Sequence, residues 1–153
     1  NYTRMLAWSY FNAAEAYARS GDPDKALEYC DKSLEMLSTL TDSQGVAAVF
    51  RNQAIAYRVK GDWEKAEKKL DIAEKMFMEQ RGPYDIASIK HERGRFYMDR
   101  GDLGKAKEAL EEALKTFEEI KAKMYASQVR ADLERLEKLA EKAEEEEAGE
   151  GEE

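Results

Sequence analysis

Cysteine and histidine each occur once and proline twice in 153 residues. Each scarcity removes a class of protein. A lone Cys30 cannot close an intramolecular disulfide, so the chain is no disulfide-stapled scaffold and suits a reducing, cytoplasmic setting. Cys30 and His91 alone do not supply the four ligands of a Cys/His zinc site, and no metal or cofactor is expected. No run of about 18 apolar residues occurs, so no membrane-spanning helix is expected. A phosphate loop, a Gly-rich dinucleotide turn and a paired metal motif are all missing. No Ser or Cys nucleophile stands beside His91 in sequence, so no catalytic residue and no enzyme are expected. The start lacks the basic segment and apolar block of a secretory signal. It opens on Asn1 rather than methionine, which raises the expectation of a processed chain or of the C-terminal sensor part of a larger regulatory protein.

Charge is abundant: 38% of residues are charged and 42% hydrophobic, with a net charge of −8. That acidity is local. Seven of the last ten residues, Glu144 to Glu153, are glutamates. Taking these from the 33 acidic residues leaves 26 against 25 basic ones. A nearly neutral body offers no broad basic surface, so nucleic acid is not an expected partner. Like-charge repulsion predicts an acidic, disordered tail over residues 148–153.

The body repeats. Gly21-Asp22 recurs as Gly61-Asp62 and Gly101-Asp102, a period of 40. Ala14, Ala54 and Gly94 stand seven residues before the glycines, and Tyr17, Tyr57 and Tyr97 four before. Lys25-Ala26, Lys65-Ala66 and Lys105-Ala106 follow, then Cys30, Leu70 and Leu110, then Leu37, Phe77 and Phe117. Glycine supplies the left-handed residue that ends a helix. Aspartate after it accepts backbone N–H bonds and starts the next. Pro23 fits a first helical position. The marker therefore predicts paired helices, A and B, over about 2–20 and 23–40, 45–60 and 63–80, 84–100 and 103–121. A last helix over about 125–147 carries the stripe Val129, Leu133, Leu136, Ala140, Ala143.

The run Ala54-Ile55-Ala56-Tyr57-Arg58-Val59-Lys60-Gly61-Asp62-Trp63-Glu64-Lys65-Ala66, followed by Leu70 and Ala73, resembles the tetratricopeptide repeat. With its 40-residue period it is similar to the longer-helix class of kinesin light chains and bacterial regulators. The resemblance implies an all-α α-solenoid with a right-handed superhelix. Three repeats, at about 5–41, 45–81 and 85–121, and a capping helix at about 125–147 would form one domain over 1–147. It also implies that the A helices line a concave groove that binds a partner peptide or helix, making the chain a protein–protein interaction scaffold.

The groove columns are read off the A helices. They give Trp8, Phe11, Asn12 and Glu15 on the first, Arg51, Asn52, Ile55 and Arg58 on the second, and His91 and Arg95 on the third. Guanidinium binds carboxylate bidentately, so Arg51, Arg58 and Arg95 suit an acidic or carboxylate-bearing partner. Asn52 suits a peptide backbone. The chaperone-binding subclass places Lys and Asn where this chain has Phe11 and Glu15, which argues against chaperone tails. A competing expectation is self-association through the aromatic first helix, with Trp8 and Phe11 covering a neighbouring repeat. Trp63 is expected to pack at its turn, and Cys30 to be a buried structural thiol.

Overall fold

The computed structural model describes residues 1–151 and is built of seven helices: α1 (Tyr2–Arg19), α2 (Pro23–Thr39), α3 (Ser43–Lys60), α4 (Trp63–Gln80), α5 (Pro83–Asp99), α6 (Leu103–Glu119) and α7 (Lys123–Glu150). Helices α1, α3 and α5 are the A helices and α2, α4 and α6 the B helices. The all-α fold and the repeat register stand as expected, with ends shifted by a few residues. The larger difference is at the C-terminus. Disorder was expected past residue 147, yet α7 stays helical through Glu150. Lys142 reaches Glu146 one turn on at 4.0 Å, and glutamate is itself a good helix former. Gly151 forms a turn, and the last two residues of the expected tail, 152–153, lie outside the described residues.

Helix reversal is local chemistry. The Asp62 N–H donates to the Tyr57 carbonyl at 2.9 Å, and the Gly61 N–H to Arg58 at 3.0 Å. Gly61 has φ +80°, the left-handed geometry that this double hydrogen bond needs. The Asp62 carboxylate then accepts from the Lys65 N–H at the start of α4. Gly21-Asp22 and Gly101-Asp102 repeat the arrangement. The turns from B to A helices also pass through a left-handed residue, here not a glycine: Thr41, Arg81 and Lys121 all have positive φ.

Each A helix packs on its own B helix and on the A helix of the next repeat. No Cα atoms of different B helices come within 8 Å of each other among the described residues. The stack therefore curves with the A helices inside and the B helices on the back. Helix α7 packs on α6 and reaches α5, so it stands where a fourth A helix would.

The small-residue column sets the A–B distance. Ala14 and Ala54 are buried, and at Gly94 an added Cβ would lie 2.6 Å from Leu110 Cδ2. Cys30, Leu70 and Leu110, and then Leu37, Phe77 and Phe117, fill the joints with at most 2% exposure. Burial pushes the Cys30 thiol up to about 12, so it stays protonated and inert. Trp63 packs edge-on against Phe96, with centroids 6.1 Å apart.

Two glycine substitutions should separate these constraints in urea unfolding. Gly94→Ala meets Leu110, so overpacking of roughly 1–3 kcal/mol should outweigh alanine's helix-propensity gain of about 1 kcal/mol. Gly61→Ala meets no atom within 4 Å, yet should cost about 1–2 kcal/mol from the left-handed backbone alone. A rise in midpoint for Gly94→Ala would show that the α5–α6 approach is not limiting.

Candidate functional site

The inner face holds a cavity of about 310 Å³. Helical spacing brings its walls together. Trp8, Phe11, Glu15 and Arg19 recur every three or four residues along one stripe of α1, and Gln44, Ala48 and Arg51 do so along α3. Helix α5 gives Tyr84, Asp85, Ser88, His91, Glu92 and Arg95; Phe117 comes from α6, and α7 adds Tyr125 and Gln128.

One end is aromatic. Trp8 and Phe11 meet edge to face at 5.1 Å, and Tyr84 meets Tyr125 at 5.0 Å and Phe117 at 5.9 Å. Gln44 closes the rim by donating to Asp85 at 3.1 Å. Burial and the neighbouring Tyr125 hydroxyl push the Tyr84 phenol above its usual range, so it stays neutral. The wall offers ring faces and hydroxyls, a surface suited to apolar or aromatic side chains.

The other end is a buried ionic network. Glu92 Oε1 accepts from Arg95 Nη1 and from Arg19 Nη2, each at 3.1 Å, and Arg58 Nη2 stands 3.8 Å from Oε2. Asp132 on α7 accepts from Arg95 Nε at 2.7 Å and faces His91 Nε2 at 2.6 Å. Arg58 Nη1 donates to Asp99 at 2.7 Å. Burial pushes the Glu92 carboxyl up, but the charges of Arg95, Arg19 and Arg58, with His91, outweigh it and hold the group down at about 2. Burial acts the same way on Asp132, and hydrogen bonds from His91 and Arg95 likewise hold it at about 2.

Six of the ten expected groove residues line this cavity: Trp8, Phe11, Glu15, Arg51, His91 and Arg95. The other four do not. Asn52 is fully buried and its Nδ2 donates to the Phe11 carbonyl at 3.2 Å, so it ties α3 to α1 rather than meeting a ligand. Ile55 is 1% exposed and packs with Ala18, Ala26 and Ala56. Arg58 is taken by Asp99 and Glu92. Asn12 is exposed but lies off the cavity, one residue and so about 100° around α1 from Phe11. Arg95, expected to await a ligand carboxylate, already holds Asp132 and Glu92. Sequence reasoning missed the α7 wall. The clue was Tyr125, an aromatic residue opening the last helix as Tyr84 opens α5.

Acid should test the network. A carboxyl held below its ordinary value stabilises the fold above that value and loses the contribution as pH falls to the folded one. For Glu92, with an ordinary value of 4.5, and Asp132, with 3.8, that window runs from about 4.5 down to about 2. Glu92→Gln leaves its arginines facing a neutral amide. It should lower stability at neutral pH by roughly 3 kcal/mol and flatten the acid limb of the stability curve. An unchanged acid limb in urea titrations would show that Glu92 does not anchor the network.

Residues 5–79 match a sequence model described as tetratricopeptide repeat, and residues 87–119 match a second with the same description. No curated protein matches the sequence. Solved structures share the fold. TPR-like repeats of a putative kinesin light chain from Podospora anserina align with a TM-score of 0.68 at 19% identity, over 95% of this chain and 71% of that one. The TPR domain of Arabidopsis FLU aligns at 0.64 and 17% identity, over 76% of this chain and 98% of that one. The N-terminal domain of stress-induced protein-1 from C. elegans aligns at 0.57 and 19% identity, over 90% and 98%. The two sequence matches together span most of the chain, and three Gly-Asp reversals keep one register along it: the chain belongs to the tetratricopeptide-repeat family.

Proposed function

We propose that the chain is a protein–protein interaction module that holds a peptide or helix of a partner protein in the groove of its A helices. Tetratricopeptide repeats generally mediate protein–protein interactions. The observation that carries the finer reading is the cavity on the inner face, where an aromatic wall stands beside Arg51, a lining arginine with no carboxylate within hydrogen-bond distance among the described residues. Interfaces draw most of their affinity from aromatic and arginine anchors in desolvated pockets. This is a reading of binding without catalysis, since His91 is committed to Asp132 and the thiol of Cys30 is buried. No described helix is long and apolar enough to cross a membrane. A cytoplasmic setting belongs to the same proposal, because the one thiol is unpaired.

Charge reversal at Arg95 is a poor test, because it would also break the contacts with Glu92 and Asp132. Gln44 and Gln128 are better probes: both are exposed at the rim. A photo-crosslinking residue at either position, in native cells, should trap a partner, whereas one at Glu79 on the outer α4 should not. Adducts from position 79 alone would overturn the groove reading. A second reading, end-to-end self-association, is favoured by Tyr2 and Met5, which are 79% and 69% exposed at the start of α1. Sedimentation over a rising concentration series separates the two. A constant monomer mass is expected from the groove reading, and concentration-dependent dimers lost in Met5→Glu from the other.

A further inference from the structure

Arginines on this face are almost all spoken for. Arg19 donates to Glu15 and Glu92, Arg95 to Glu92 and Asp132, and Arg58 to Asp99. Arg51 is the exception. It is 9% exposed and lines the cavity, yet its one hydrogen bond goes to a neutral hydroxyl, Ser88 Oγ, at 2.5 Å. Its nearest carboxylate oxygen is Glu15 Oε2, 3.9 Å from Nη2, too long for a hydrogen bond, and Glu15 bonds Arg19 instead. The Arg51 Nε has no hydrogen-bond partner; the same holds for the Arg58 Nε, but Arg58 lies off the cavity and bonds Asp99. A guanidinium carries five donors in a fixed fork. A buried donor of a cation left without a partner is costly unless something fills the place.

We propose that Arg51 is the anchor of a carboxylate subsite, which receives one aspartate or glutamate side chain from within the partner's segment, with an adjacent apolar side chain on the Trp8–Phe11–Tyr84 wall. The inference rests on the groove reading above and narrows its ligand. Three features of the site define the occupant. Glu15, Asp85 and Glu92 also line the cavity, so a second negative charge is repelled and a dianionic phosphate group fits poorly. Tyr84 of the aromatic wall stands one helical turn before Ser88, the hydroxyl that Arg51 bonds, within reach of a residue next to the acid in sequence. The α1 lining runs from Trp8 to Arg19, about 16 Å of helix at 1.5 Å per residue, with Arg51 opposite its middle. A chain that ended at Arg51 would leave the Arg19 half uncovered, so the carboxylate comes from a side chain rather than a C-terminus.

The test uses the intact chain and four capped or free peptides, followed by 15N-edited NMR at the Trp8 indole and Arg51 Nε–H signals. These are acetyl-Gly-Phe-Glu-Gly-amide, its Gln and phosphoserine counterparts, and acetyl-Gly-Phe with a free C-terminus. The Glu peptide is expected to bind roughly tenfold or more tightly than the Gln peptide, as a hydrogen-bonded charge does, and more tightly than either remaining peptide. Arg51→Gln should abolish the preference and Arg51→Lys should restore part of it. Arg130→Gln, at an exposed α7 arginine off the cavity, should keep it. Equal binding of Glu and Gln peptides at the groove signals would overturn the carboxylate anchor while leaving the groove reading intact. Preference for the phosphoserine or free-terminus peptide would replace it with another anion. Shifts only outside the groove would overturn both readings.

Discussion

One aspartate per turn does two jobs, and the array depends on it. The backbone N–H of Asp22, Asp62 and Asp102 closes the helix behind, through the carbonyls of Tyr17, Tyr57 and Tyr97. The carboxylate of the same residue opens the helix ahead by taking the N–H of Lys25, Lys65 and Lys105. A chain that reverses direction within two residues must bring consecutive helices side by side. Their apolar stripes then meet, and the small residue at 14, 54 or 94 decides how close they come. Asp42 acts in the same way between repeats, so the device also links one pair to the next.

A second regularity lies in the polar contacts between successive A helices. Gln44 bonds Asp85, Asn52 bonds the Phe11 carbonyl, Arg58 bonds Asp99 and His91 bonds Asp132, each across 41 positions. Arg51 to Ser88 and Arg95 to Asp132 span 37, one helical turn less. The sequence period is 40, so a residue touches not its own counterpart but the neighbour of that counterpart.

This offset explains how far the sequence could be read. Helices, turns and the A–B core were legible because glycine geometry, capping and the columns of Ala, Leu and Phe are local or strictly periodic. The groove was half legible. Aligning columns at 40 puts equivalent residues on equivalent faces but does not say which of them an adjacent helix covers. Asn52 and Ile55 were covered, by α1 and the first pair, and Arg58 was neutralised by Asp99. The α7 wall was hidden for another reason: the last helix lacks the Gly-Asp marker and any side-chain cap, so nothing local announced that it stands in an A position. Past residue 147, where disorder was expected, the helix continues to Glu150, and the helix propensity of glutamate acts against the repulsion of consecutive acids.

Asp132 joins α7 to α5, and its position has a consequence for how such a chain lengthens. Its counterpart one period earlier is Glu92, also an acid on an A helix. A tandem duplicate of the third repeat would present the copied Glu92 to the original His91 and Arg95, and the copied His91 and Arg95 to Asp132. The new seam would have the same signs of charge as the old one, and α7 would still close the end. The third repeat thus carries a self-complementary joint, so gene duplication can change the number of repeats without inventing an interface.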